Sequence, residues 1–162
     1  MIQLPAEKIL LDQSYQNWKE ALTEIGQWMT QQGGIKPAYI QSMIERQEKA
    51  SVYIGNFVAL PHGTDKDEEV VEEGIYLVQV PDGVDFGTKE EPKIATLLFV
   101  VALKKEHQLA VLQDLAFFCS DIDQVMALSD AETIEEVQMI FEHGHILSLI
   151  HISEPTRLGM IS

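Results

Sequence analysis

The chain has 162 residues, 46% of them hydrophobic, which is enough for one globular domain with a real core. Its 26 acidic against 11 basic residues give a formal net charge of −15, a surface that repels a phosphate backbone, so nucleic acid is excluded as an expected partner. No stretch is apolar for long enough to cross a bilayer, the start "MIQLPAEKILLDQ" lacks the basic-then-apolar pattern of a secretory signal, and one cysteine leaves no disulfide framework. These features predict a cytoplasmic protein without membrane insertion, with Cys119 in "LAFFCSD" as a buried structural thiol.

After an extended start, "NWKEALTEIGQWMTQQGG" predicts a first helix. Asn17 can cap it, Glu20 sits three residues on, and Ala21, Leu22, Ile25, Trp28 and Met29 share a face until Gly33 and Gly34 end it. A second helix begins with Pro37 in its first turn and carries Tyr39, Ile40, Met43 and Ile44 on its apolar side. Helical geometry puts Arg46 beside Tyr39 and Met43, flanking the buried side, while Glu45 points away.

Three strand candidates follow: "VYIGNFVALP", "GIYLVQV" and "KIATLLFVVAL", the last apolar almost without alternation, as a strand covered on both faces is. Between them, "GTDKDEEVVEE" and "PDGVDFGTKEEP" read as loops. "KKEHQLAVLQDLAFFCS" then takes a helical period through Leu109, Leu112, Leu115 and Ala116. A short helix around "DQVMAL" follows, and then one with a capping box from Thr133 to Glu136 and apolar Ile134, Val137, Ile140 and Phe141. The order predicts an α/β fold, a sheet covered by helices.

Three residues carry candidate chemistry. Pro61 ends the first strand and Gly63 frees the backbone after it, so His62 stands at a strand end, held yet reachable. His107 lies between the apolar strand and a helix, near a helix N-terminus that favours anions. Arg46 is a candidate guanidinium clamp for an oxyanion or phosphate. By themselves these could be a strand-end histidine bonded to backbone, an exposed helix residue and a snorkelling arginine. Together they suit reversible phosphoryl capture on histidine, which needs a neutral imidazole nucleophile and electrostatic stabilisation of the phosphoryl oxygens.

"YIGNFVALPHGT", with "MIERQE" upstream and "KKEHQLAVLQDLA" downstream, resembles the enzyme IIA domain of the mannitol/fructose family of the sugar phosphotransferase system, over roughly residues 2 to 142. The resemblance implies a mixed β-sheet sandwiched between helices. It implies that His62 accepts a phosphoryl group from the carrier HPr, at Nε2 with Nδ1 tied to a backbone group, and passes it to enzyme IIB of a membrane sugar transporter. It also implies that Arg46 and His107 contact that phosphoryl group, with no cofactor or resident metal. Mannitol is the expected sugar.

Two rival readings stand beside it. One is a regulatory module similar to the nitrogen-related enzyme IIA proteins. The other is a zinc-dependent hydrolase using His62, His107, His143 and His145, which lacks an H-E-x-x-H helix and a carboxylate base beside His62. The domain is expected to span residues 1–145. Residues 146–162, with one acid, Glu154, and one base, Arg157, break from the acidic chain, and "SLIHISEPTR" looks like translated adapter or read-through sequence rather than an evolved tail.

Overall fold

The computed structural model describes residues 3–64 and 66–144. In chain order the elements are β1 (Ile9–Leu10), α1 (Trp18–Gln31), α2 (Ala38–Lys49), β2 (Tyr53–Gly55), β3 (Val58–Ala59), β4 (Gly74–Asp85), β5 (Ile94–Ala102), α3 (Lys105–Cys119) and α4 (Ile122–Asp130), with short 3-10 turns at Ala6–Lys8 and Asp67–Glu69. A last helix, α5, covers 134–144. The helix starts follow the expected chemistry. Asn17 accepts from the Glu20 amide at 2.8 Å, and Thr133 accepts from the Glu136 amide at 3.1 Å while the Glu136 carboxylate accepts from the Glu132 amide.

The strands form one mixed sheet in the order β1-β4-β5-β3-β2. β5 pairs antiparallel with β4 and parallel with β3, and β1 runs parallel to β4. Because side chains alternate along a strand, β5 serves two cores at once. Ala95, Leu98, Val100 and Ala102 join Leu22, Ile25, Met29 and Met43 of α1 and α2, whereas Leu97, Phe99 and Val101 join Leu115, Phe118, Val125 and Phe141 of α3, α4 and α5. The apolar run is thus covered on both faces, and the sheet lies between helix layers as expected. Cys119 is buried among these side chains, and burial pushes its thiol up to about 12, which leaves it un-ionised.

Three local expectations need correction. "VYIGNFVALP" is not one strand. β2 and β3 are an antiparallel pair joined by a tight turn in which Gly55, Asn56 and Phe57 all have positive φ, and Asn56 donates to the Cys119 carbonyl at the end of α3. "PDGVDFGTKEEP" is only partly loop, because β4 runs on to Asp85. An irregularity between Gln79 and Val84, with Gly83 at φ +82°, takes up Pro81, and pairing then resumes at Val84 with Ala95 and Asp85 with Ile94. Leu109, expected on the apolar stripe of α3, is 67% exposed, since only the later turns of that helix lie flat on the core. The proposed boundary at 145, the tail 146–162 and His145 lie outside the described residues.

Candidate active site

His62 follows directly from the end of β3. Pro61 has no amide hydrogen to extend the ladder, but its carbonyl accepts from the Val101 amide at 2.8 Å, so His62 bridges in parallel to Val101 near the end of β5. The residue is only 8% exposed. Its Nδ1 lies 2.7 Å from the Leu60 carbonyl oxygen. A carbonyl can only accept, so Nδ1 carries the proton and Nε2 keeps its lone pair. Burial lowers the pKa of the ring, the Leu60 carbonyl pulls it partly back, and the Arg46 charge lowers it further. The outcome is a neutral imidazole at neutral pH with one nitrogen kept for chemistry.

Arg46 sits in the last turn of α2, and its Nη1 donates to the Ala50 carbonyl at 2.6 Å. One of the five guanidinium N–H donors is used there, in a position from which the positive charge reaches His62. The same helix face approaches the histidine loop at two further points. The Tyr39 hydroxyl accepts from the Gly63 amide at 2.9 Å, and the Thr64 hydroxyl lies 3.5 Å from that of Ser42, which donates to the buried Glu69 carboxylate. Positions 39, 42 and 46 are three and four residues apart, the spacing that stacks side chains on one side of a helix.

His107 lies in the first turn of α3, beyond the same end of β5, but its ring faces acids. Nδ1 is 2.8 Å from Glu73 Oε2 and Nε2 is 3.5 Å from Glu106 Oε1. The hydrogen bond and charge of Glu73, with Glu106 adding to them, raise the pKa of this imidazole, so it favours the cationic form. Burial alone would raise the Glu73 carboxyl. Hydrogen bonds from His107 and the Lys104 amide outweigh it and hold Glu73 low. The start of α3 does receive anions, as expected of a helix N-terminus, but they are the protein's own carboxylates. Glu73 already accepts from the Lys104 amide at 2.9 Å, and Asp67 from the Lys105 amide at 2.8 Å.

Arg46 thus stands near enough for its charge to act on His62, and His107 lies at the same end of β5, bound to Glu73. Sequence reasoning missed the Tyr39 hydroxyl and Glu73. The first had a signal, seven residues before Arg46 on the same helix face. The second had none, since its partner is 34 residues away in the chain. Among the described residues no group of three or more His, Cys, Asp or Glu is arranged to hold a metal ion.

Comparison with known proteins gives a consistent picture. The model of the "Phosphoenolpyruvate-dependent sugar phosphotransferase system, EIIA 2" family matches residues 3–144. The mannitol-specific phosphotransferase enzyme IIA component of Enterococcus faecalis is 46% identical over 130 residues, covering 80% of this chain and 90% of that protein. The crystal structure of mannitol IIA from Escherichia coli superposes with a TM-score of 0.79 at 28% identity, covering 86% of this chain and 99% of that one. The Escherichia coli complex of mannitol enzyme IIA with phosphorylated mannitol enzyme IIB matches with a TM-score of 0.81 at 27% identity, covering 88% and 99%.

Proposed function

The chain belongs to the EIIA 2 family of the phosphoenolpyruvate-dependent sugar phosphotransferase system, and from that premise we propose that it is a mannitol enzyme IIA component, a phosphotransferase working in the cytoplasm. It takes a phosphoryl group from phospho-HPr onto His62 and hands it to mannitol enzyme IIB. A relative 46% identical bears the mannitol-specific name, and the matching Escherichia coli mannitol enzyme IIA is known in complex with phosphorylated enzyme IIB. Among the described residues no helix is long and apolar enough to cross a membrane.

The observation that carries the chemistry is the Nδ1 to Leu60 contact of 2.7 Å. It selects the tautomer whose Nε2 lone pair can attack phosphorus. In the forward step Nε2 forms a bond to phosphorus as the carrier's histidine leaves with its electron pair. The reverse logic passes the group to a cysteine thiolate of enzyme IIB. Little covalent chemistry is asked of the protein beyond this, so positioning and charge decide the rate. Arg46 would stabilise the phosphoryl oxygens through its remaining donors, and protonated His107 would add a second positive charge at the same end of β5.

Transfer from phosphorylated protein to mannitol enzyme IIB tests the function. Purified protein, charged by HPr, its upstream kinase and phosphoenolpyruvate, should pass its phosphate to mannitol enzyme IIB. Phosphate that is taken up but never reaches enzyme IIB would support a regulatory role instead.

A further inference from the structure

We propose that Tyr39 is a positioning residue for phosphoryl transfer, its hydroxyl tying the peptide after His62 to β5 so that the imidazole keeps a single tautomer and place. The proposal rests on the reading of His62 as phosphoryl acceptor.

Tyr39 is fully buried, and its hydroxyl fills both of its hydrogen-bonding roles. It accepts from the Gly63 amide at 2.9 Å and donates to the Val101 carbonyl at 2.7 Å. Val101 in turn donates its amide to the Pro61 carbonyl at 2.8 Å. The residue before His62 is therefore bound to Val101 directly, and the residue after it through Tyr39. The histidine backbone is held on both sides to one point of a central strand.

Gly63 bears out this arrangement. A Cβ built there would fall 2.5 Å from the Tyr39 ring, so the glycine of the "PHG" stretch admits the ring beneath the loop. Burial pushes the Tyr39 hydroxyl up to about 12, which keeps it protonated and able to donate to Val101 throughout the working pH range. Tyr39 touches no reacting atom. It acts through the backbone of the residue that does, and displacements of that kind are costly in a step governed by placement.

Tyr39→Phe keeps the ring and removes the oxygen. With wild-type protein taking phosphate on His62, the variant should accept it from phospho-HPr about 10–100-fold more slowly while still unfolding cooperatively. In the unphosphorylated variant, the ¹⁵N shifts of the His62 ring should move from a pure Nδ1–H tautomer toward a mixture, a change that a merely packing role would not cause. In wild-type protein the Gly63 amide should exchange slowly with solvent. Wild-type rate and ring shifts in the variant would overturn the proposal. So would a wild-type Gly63 amide exchanging as fast as an open loop, a result that needs no variant. Wild-type protein that takes no phosphate on His62 would overturn the acceptor reading and this proposal with it, and is told apart from a failure of Tyr39 alone.

Discussion

His62 donates through Nδ1 to the Leu60 carbonyl 2.7 Å away, two residues back along its own chain. That backbone acceptor sets the tautomer as long as the turn carrying both residues keeps its shape, and the Tyr39 hydroxyl bonded to the Gly63 amide holds that turn. The nucleophile is prepared by local geometry, and its neighbours on α2 add charge and restraint.

The two site histidines should titrate in opposite directions from the ordinary value of 6.5, His62 below it and His107 above it. Their linkage to folding is opposite too. Because the unfolded chain protonates His62 more readily, its share of stability is complete above about pH 6.5 and falls as pH drops toward the folded value. The His107 share is complete below about pH 6.5 and is lost as pH rises through its raised folded value. An NMR titration of both rings checks this, and the reverse order would contradict the electrostatics described for the site.

Arg46→Ala should slow phosphoryl exchange by roughly 10²–10³-fold while leaving His62 able to be phosphorylated slowly. Arg46→Lys should be impaired as well, because an ammonium lacks the planar fork that holds two oxygens. Rapid-quench transfer from phospho-HPr measures both. Wild-type rates in the two variants would remove Arg46 from the site.

Glu73→Gln should lower the His107 pKa toward 6.5 and slow transfer less than His107→Ala does. The amide still accepts from Lys104 but no longer favours the imidazolium. A pH–rate profile whose upper limb shifts down in Glu73→Gln supports this coupling. An unshifted profile contradicts it.

Much of this molecule was legible in the sequence where the cause is local. The α1 cap, the α5 capping box and the two-faced β5 follow from neighbours within a turn or a pleat. What was misread depends on distant partners. The turn at Asn56 is held by the end of α3, 63 residues on, and the Tyr39 hydroxyl finds Val101 at a separation of 62. "VYIGNFVALP" did carry a local turn signal, the Gly55-Asn56 pair, which the apolar residues on either side of it outweighed. Asp82 and Gly83 look like the end of a strand because nothing local says that Val84 and Asp85 will pair again with β5.

A shortened chain ending at His145 should fold, stay soluble and accept phosphate as well as the whole 162-residue chain. The family model matches residues 3–144, and α5 carries Val137 and Phe141 into the core, so we propose that residues 1–145 make up the domain and that 146–162 add nothing to transfer. Thermal melting and phosphate uptake measure this. Loss of folding or of most activity would make the tail part of the working protein.

The most direct test is to find the phosphate. Protein charged from phosphoenolpyruvate through HPr should gain one phosphoryl group that is lost in mild acid and survives alkali. ³¹P–¹⁵N couplings should place it on Nε2 of His62, and His62→Ala, still folded, should gain none. Phosphate on His62→Ala at the wild-type level, or an acid-stable, alkali-labile adduct of the kind serine and threonine form, would contradict the account.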